Sequence, residues 1–289
     1  MRYTDALGLR AGDVVSIVGS GGKTSLLWRL AQENRDRAVL VSTTTKMWYP
    51  DVGLFDWDVS GMFPRRGDDT CRGAHCASAG SDSACTINYA GKATVHGRAV
   101  RAPTGISLLY GSLIDGKIAA PTMERLAAAS AEAFLTLIEC DGARELPLKG
   151  WAAHEPVVPG FATVTIGMLP LWAIGQTVCA ETVHRMPAFC RITGAQPGEI
   201  VTAAHLVRVV CRPDGLFAKA RGRRALFLNA KTAENLVGAR IARPRAGTRT
   251  DVHCAPLRDA QEVAACLEAP MTVLVGDIHR GTVEVIRWA

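Results

Sequence analysis

No apolar run in this 289-residue chain approaches the roughly 20 residues that a membrane-spanning helix needs, which excludes an integral helical membrane protein. The first residues, Met1-Arg2-Tyr3-Thr4-Asp5, lack the ordered basic flank, apolar stretch and small-residue cleavage site of a secretory signal, so a cytoplasmic protein is expected. No Cys-x-x-Cys pair occurs. The nine cysteines are odd in number and scattered, and they read as free thiols in a reducing compartment rather than as a disulfide framework. Aromatic residues are sparse at 6%, and no nucleic-acid module is legible. Internal repeats and heptad runs are also missing.

What remains is a globular balance of 48% hydrophobic and 21% charged residues. The length suits one large domain with an extension better than two independent domains. The formal charge of +6 is uneven. Residues 205 to 258 carry twelve Lys and Arg against Asp214, Glu234 and Asp251. Such a stretch is either a solvated basic surface or a face toward something anionic, for which a phosphate-bearing small molecule or an acidic partner fits better than DNA.

Short apolar runs alternate with helical spacing, as a parallel sheet with crossover helices requires. Strands are expected at Val14 to Val18, Val39 to Ser42, Leu108 to Gly111, Phe134 to Ile138, Val164 to Gly167, Leu226 to Leu228 and Thr272 to Val275, with a closing strand at Val283 to Ile286. Leu26, Leu27, Leu30 and Ala31 make the apolar stripe of a helix that starts at Thr24. The expected fold is therefore α/β and P-loop NTPase-like: a single domain over 1–289 with a mostly parallel sheet flanked by helices. An irregular insertion at about 54–104, with a β-like piece near Thr86 to Tyr89, and a basic C-terminal extension from about 236 complete it.

The strongest motif is Gly19-Ser20-Gly21-Gly22-Lys23-Thr24-Ser25, between an apolar strand and a helix. Glycines let the backbone wrap phosphate oxygens, N–H groups point inward, and the helix N-terminus favours an anion. Lys23 would neutralise the outer phosphates of ATP or GTP, and the Thr24 hydroxyl would hold Mg²⁺. The longer eight-residue form of the motif wants glycine where Ile17 stands, so the match is to the shorter Gly-x-x-Gly-Lys-Thr variant.

Two further groups fall at strand ends, where ligands bind in open α/β sheets. Ser42-Thr43-Thr44-Thr45-Lys46 places hydroxyls and a cation there, and Thr44, Thr45 and Lys46 are candidates for contact with the metal or the phosphates. Threonines that simply favour strands are the alternative. After Phe134 to Ile138, period-two alternation points Glu139 and Asp141 to one side if the strand continues. Asp141 is the first choice for the metal and Glu139 the second, both being catalytic candidates beside Lys23. One of two repelling carboxylates would have a raised pKa unless a cation relieves it, and one could instead cap the next turn. Cys140 between them reads as a buried strand residue with a raised pKa. Cys71, Cys76, Cys85 and His75 lack paired zinc-ligand spacing.

Downstream loops bring Pro147-Leu148-Lys149, His154-Glu155-Pro156 and His184-Arg185. Taken with Gly19 to Ser25, Thr43 to Lys46, Glu139-Cys140-Asp141-Gly142-Ala143-Arg144 and His154 to Pro159, in this order, they give a chain that resembles the YqeC family over roughly 7–50 and 105–235. His184-Arg185 and Thr193-Gly194 also look like family positions. The resemblance implies a P-loop NTP-binding protein that helps prepare or insert a selenium-containing cofactor of molybdenum hydroxylases, with Mg²⁺ and ATP or GTP as cofactors. A molybdenum hydroxylase or its maturation factors would be partners, with no nucleic acid and no membrane. Arg144, His154 and Arg185 join the cofactor-binding candidates on this ground. Asn229-Ala230-Lys231-Thr232 departs from an Asn-Lys-x-Asp run and leaves the base open. Three functions stay in view: NTP hydrolysis or phosphate transfer, a nucleotide-gated cofactor chaperone with little turnover, and a carboxylate-activating ligase-like enzyme.

Overall fold

Asp13–Gly19 forms β1, a strand whose seven residues are all buried and whose side chains alternate between two cores. In the computed structural model, which describes residues 1–60, 104–230, 255–267 and 271–287 and the backbone of short strands at 86–87, 93–95 and 98–100, β1 lies at the middle of the main sheet. The other strands are β2 (Ala38–Thr43), β3 (Trp57–Asp58), β4 (Gly105–Leu109), β5 (Leu135–Glu139), β6 (Val164–Pro170), β7 (Arg223–Asn229), β8 (Thr272–Asp277) and β9 (Thr282–Arg287). Among the described residues they make nine strands in the order β9-β8-β7-β6-β1-β5-β2-β4-β3. Every neighbouring pair is parallel except β8 and β9, which are antiparallel.

Helices cover both faces. On one side lie α1 (Tyr3–Ala6) and α2 (Lys23–Glu33), whose Leu26, Leu27, Leu30 and Ala31 are fully buried against Val15, Ile17, Val39 and Val41. The 3.6-residue spacing of that stripe explains the docking, and each buried leucine contributes about 1.5–3 kcal/mol. On the other side α3 (Met123–Glu132), α4 (Met186–Thr193), α5 (Ala203–Cys211) and α6 (Ala255–Ala265) bring Leu126, Phe189, Leu206, Val209 and Val263 onto Val14 and Val18. Thr122 caps α3 by accepting from the Arg125 N–H, and Thr202 with His205 forms a capping box on α5.

The chain leaves β1 for β2, two places away, and β5 later fills the gap between them. It then crosses to β6 on the opposite side of β1. Strand order reverses at β1, and in open α/β sheets a crevice for ligands lies outside the C-terminal strand ends at such a point. Gly19, Glu139 and Pro170 end β1, β5 and β6 at that edge.

Several boundaries differ from the sequence-based expectation. The strand expected at 108–111 runs over Gly105–Leu109, because Gly111 pairs through its N–H with the Ala119 carbonyl in a turn instead. Helix α2 opens at Lys23, one residue before the expected Thr24. Residues 54–60, expected in the irregular insertion, belong to the core: Phe55 is buried, Asp56 binds Arg35, and Trp57–Asp58 pairs with β4. Lys46–Trp48 opens a small antiparallel sheet with Leu113–Ile114 and Lys117–Ala119, and Leu148–Lys149 pairs in parallel with Val183–His184. The rest of the insertion, with Cys71, His75, Cys76 and Cys85, and the basic stretch from 236 to 254 lie outside the described residues.

Candidate functional site

At the C-terminal end of β1 the backbone turns through Gly19, Gly21 and Gly22, with φ of 104°, 76° and 126°. A Cβ on Gly19 would stand 2.2 Å from the Met168 carbonyl oxygen, so no other residue fits there. The loop is pinned from three directions. The Ser20 N–H donates to Met168 O of β6 at 3.1 Å, and Asn229 Nδ2 of β7 donates to Gly21 O at 2.7 Å. The Gly19 N–H donates to both oxygens of Asp141, at 3.0 and 3.1 Å. Helix α2 follows with Gly22 at its N-cap and no side chain capping its first turn. Its N-terminal N–H groups and dipole therefore face the loop without a competing side-chain acceptor.

Lys23 is buried, and its Nζ donates to Gly19 O at 2.7 Å. The ammonium lies 3.5 Å from Asp141 Oδ1 and 3.9 Å from Glu139 Oε1. Thr24, exposed on the loop side, donates through Oγ1 to Glu139 Oε2 at 2.7 Å. Glu139 is buried, and desolvation holds its carboxyl above the usual range despite Lys23 and the Thr24 hydrogen bond.

Asp141 has a different environment. Besides Gly19, it accepts from Lys149 Nζ at 3.1 Å and from Trp151 Nε1 at 2.9 Å, and it has no exposed surface. Lys149, equally buried, also donates to Gly142 O at 2.6 Å and to Glu155 Oε2 at 3.2 Å. Arg185 closes the series on Glu155. Burial opposes the Glu155 charge, but Arg185 and Lys149 outweigh it and hold the carboxyl below its ordinary range. A continuous string of alternating charges, Lys23, Asp141, Lys149, Glu155 and Arg185, thus runs outward from the loop.

The remaining candidates separate. Thr44 Oγ1 donates to Val157 O at 2.7 Å, and Thr43 Oγ1 donates to Glu139 O at 3.0 Å and accepts from the Thr45 N–H at 3.1 Å. These hydroxyls stitch the end of β2 to the end of β5 and to the segment that follows it. Ser25 and Thr45 are half-buried, and Lys46 is exposed. Arg144 and His154 are exposed, and neither side chain has a hydrogen-bond or ion-pair partner among the described residues. Burial pushes the Cys140 thiol up to about 12, which makes it a packed core residue, just past the end of β5 rather than in the strand as expected, and not a nucleophile. Among the described residues no cluster of three or more His, Cys, Asp or Glu is arranged to hold a metal ion. Two buried oxygens at the loop, Ser20 Oγ and Asn229 Oδ1, have no protein partner among them.

Sequence patterning did not reveal Trp151, the pinning role of Asn229, or the link from Lys149 to Glu155. A signal existed for the last: a lysine between Leu148 and Gly150-Trp151 is bound for burial, and a buried ammonium requires a carboxylate.

The fold and the site define an α/β protein with a mostly parallel sheet. At the reversal of its strand order it carries a glycine loop, a buried lysine and two carboxylates. The chain belongs to the YqeC family: the family profile described as "YqeC protein" matches residues 15–187. It is also 33% identical over 221 residues, 75% of each chain, to a protein of Escherichia coli (strain K12) named "Uncharacterized protein YqeC". No solved structure matches it significantly.

Proposed function

We propose that the chain binds a nucleoside triphosphate with Mg²⁺ and hydrolyses it or transfers its terminal phosphate. The observation that carries this is the Thr24 to Glu139 hydrogen bond, 2.7 Å long, beside the buried Lys23 at the strand-order reversal. A glycine loop at the start of an uncapped helix suits an anion. A buried ammonium held beside the loop by Gly19 O and neighbouring carboxylates could exchange those partners for phosphate oxygens, which are equally charge-assisted acceptors. A hydroxyl and one buried carboxylate are hard oxygen ligands, too few to hold a cation alone, and they fit Mg²⁺ shared with phosphates.

In this proposal Thr24 and Glu139 would hold the metal, and Glu139 takes the place expected first for Asp141. Asp141 has no exposed surface, its Oδ2 already accepts from Gly19, Lys149 and Trp151, and its Oδ1 accepts from Gly19 with the Lys23 ammonium 3.5 Å away. Asp141 instead holds the loop in shape. When bound, Mg²⁺ neutralises charge on the phosphate oxygens. Lys23 adds positive charge on the outer phosphates, the loop N–H groups orient them, and the buried setting strengthens each of these contacts. The Asn229 Nδ2 is bonded to Gly21 O, which supports a loop-pinning role for this side chain rather than one in reading a base.

The cellular role proposed is the maturation of a selenium-containing cofactor of molybdenum hydroxylases, which rests on the family resemblance. The test is Mg²⁺-dependent phosphate release from ATP and GTP by purified protein, together with recovery of partners from cells. Release with one triphosphate, lost on Mg²⁺ removal, is expected, as is nucleotide-dependent recovery of a molybdenum hydroxylase or a maturation factor. Failure of both triphosphates to bind would overturn the assignment.

A further inference from the structure

We propose that Arg144 and Arg185 form an oxyanion site for a second substrate, a small molecule bearing a phosphate or a carboxylate, beside the phosphate loop; this step rests on the nucleotide assignment above. The parallel pairing of Leu148 with Val183 and of Lys149 with His184 brings the two arginine-bearing segments together. Both arginines have left-handed backbone, φ 50° at Arg144 and 55° at Arg185, as does Glu145 at 64°. Such conformations are disfavoured for residues with a side chain and gather at ligand clamps. Three of the four non-glycine residues with positive φ among the described residues lie here.

The charges leave a positive surplus. Arg144 is exposed without a partner among the described residues, and Arg185, with its side chain 31% exposed, shares the single carboxylate of Glu155 with Lys149. Glu145, the neighbouring acid, is turned away to accept from Trp48 Nε1 at 3.1 Å. His184, next to Arg185 and paired with Lys149, reports the resulting field: burial, then Arg185, Lys149 and Arg144, hold its imidazole below the usual range, opposed by Glu155. The positive charge is therefore carried by guanidinium and ammonium groups. Guanidinium forks match an oxyanion through two parallel N–H donors. Arg185 is linked to the loop by successive contacts, through Glu155, Lys149 and Asp141 to the Gly19 N–H and Lys23.

The experiment titrates inorganic phosphate, by calorimetry, into protein saturated with Mg²⁺ and a non-hydrolysable triphosphate. Wild type is expected to bind phosphate, Arg144→Ala to weaken it about tenfold or more, and Arg144→Lys to recover part of the loss. Arg144 is exposed, so an unchanged melting temperature will show that the variants are folded. The same titration into nucleotide-free Lys23→Ala protein separates the two ideas. Arg144-dependent phosphate binding there, with no triphosphate binding by wild type, would leave the oxyanion site standing and remove the nucleotide assignment. Acetate in place of phosphate distinguishes a carboxylated from a phosphorylated substrate by which anion binds tighter. Phosphate binding unaffected by Arg144→Ala, or none in either protein, overturns the site.

Discussion

The backbone N–H of Gly19 donates to both carboxylate oxygens of Asp141, and the same carboxylate receives Lys149 and Trp151. One buried side chain thereby fixes the shape of the glycine loop and compensates two buried ammonium groups, Lys23 and Lys149.

Asp141→Asn keeps the shape but removes the charge. With Lys149 fully buried and left to Glu155 alone, the variant is expected to lose about 3 kcal/mol or more of stability in chemical denaturation. A loss under 1 kcal/mol would show that the carboxylate is not the partner of Lys149.

Glu139 behaves in the opposite sense. Its carboxyl titrates above the unfolded value, so the folded state binds that proton more tightly. The stability it contributes is full below the unfolded pKa and declines as pH rises through the folded one. Glu139→Gln is therefore expected to raise the melting temperature at neutral pH, by about 2–4 °C per kcal/mol gained, while weakening Mg²⁺-dependent nucleotide binding. Thermal scans at pH 5 and pH 8 check the sign. A stabilisation that is larger at pH 5 would contradict the account.

Two glycine substitutions separate loop geometry from general tolerance. Gly19→Ala drives a Cβ to 2.2 Å from Met168 O and is expected to abolish nucleotide binding and destabilise the fold. Gly53→Ala meets nothing within 4 Å and is expected to stay within about 0.5 kcal/mol of wild type. Equal effects of the two would mean that the loop backbone is wrongly described.

Much of this architecture was legible in the chain. Val14 to Val18 and Val164 to Gly167 are apolar on both faces, as buried parallel strands must be, and the stripe of Leu26, Leu27 and Leu30 gave α2. Strand order was not legible, because it depends on which crossovers skip a place, and β5 comes to lie between β1 and β2 only after four strands have been laid down. Trp57–Asp58 was missed because a two-residue edge strand carries no period. Alternation would put Glu139 and Asp141 on one side only if the strand continued, but β5 ends at Glu139, and alternation could not tell which meets Thr24, since that depends on Lys149 and Trp151 arriving from later in the chain. The same holds for Asn229, whose partner Gly21 is 208 residues away.

The most direct measurement is calorimetric titration of ATP and of GTP, with Mg²⁺ and with EDTA, into wild type and Lys23→Ala. The account predicts Mg²⁺-dependent binding of one triphosphate by wild type, weakened at least about a hundredfold in the variant, as loss of a charge-assisted phosphate contact of about 3 kcal/mol implies. Equal binding by wild type and Lys23→Ala, or no binding of either triphosphate by wild type, would contradict it.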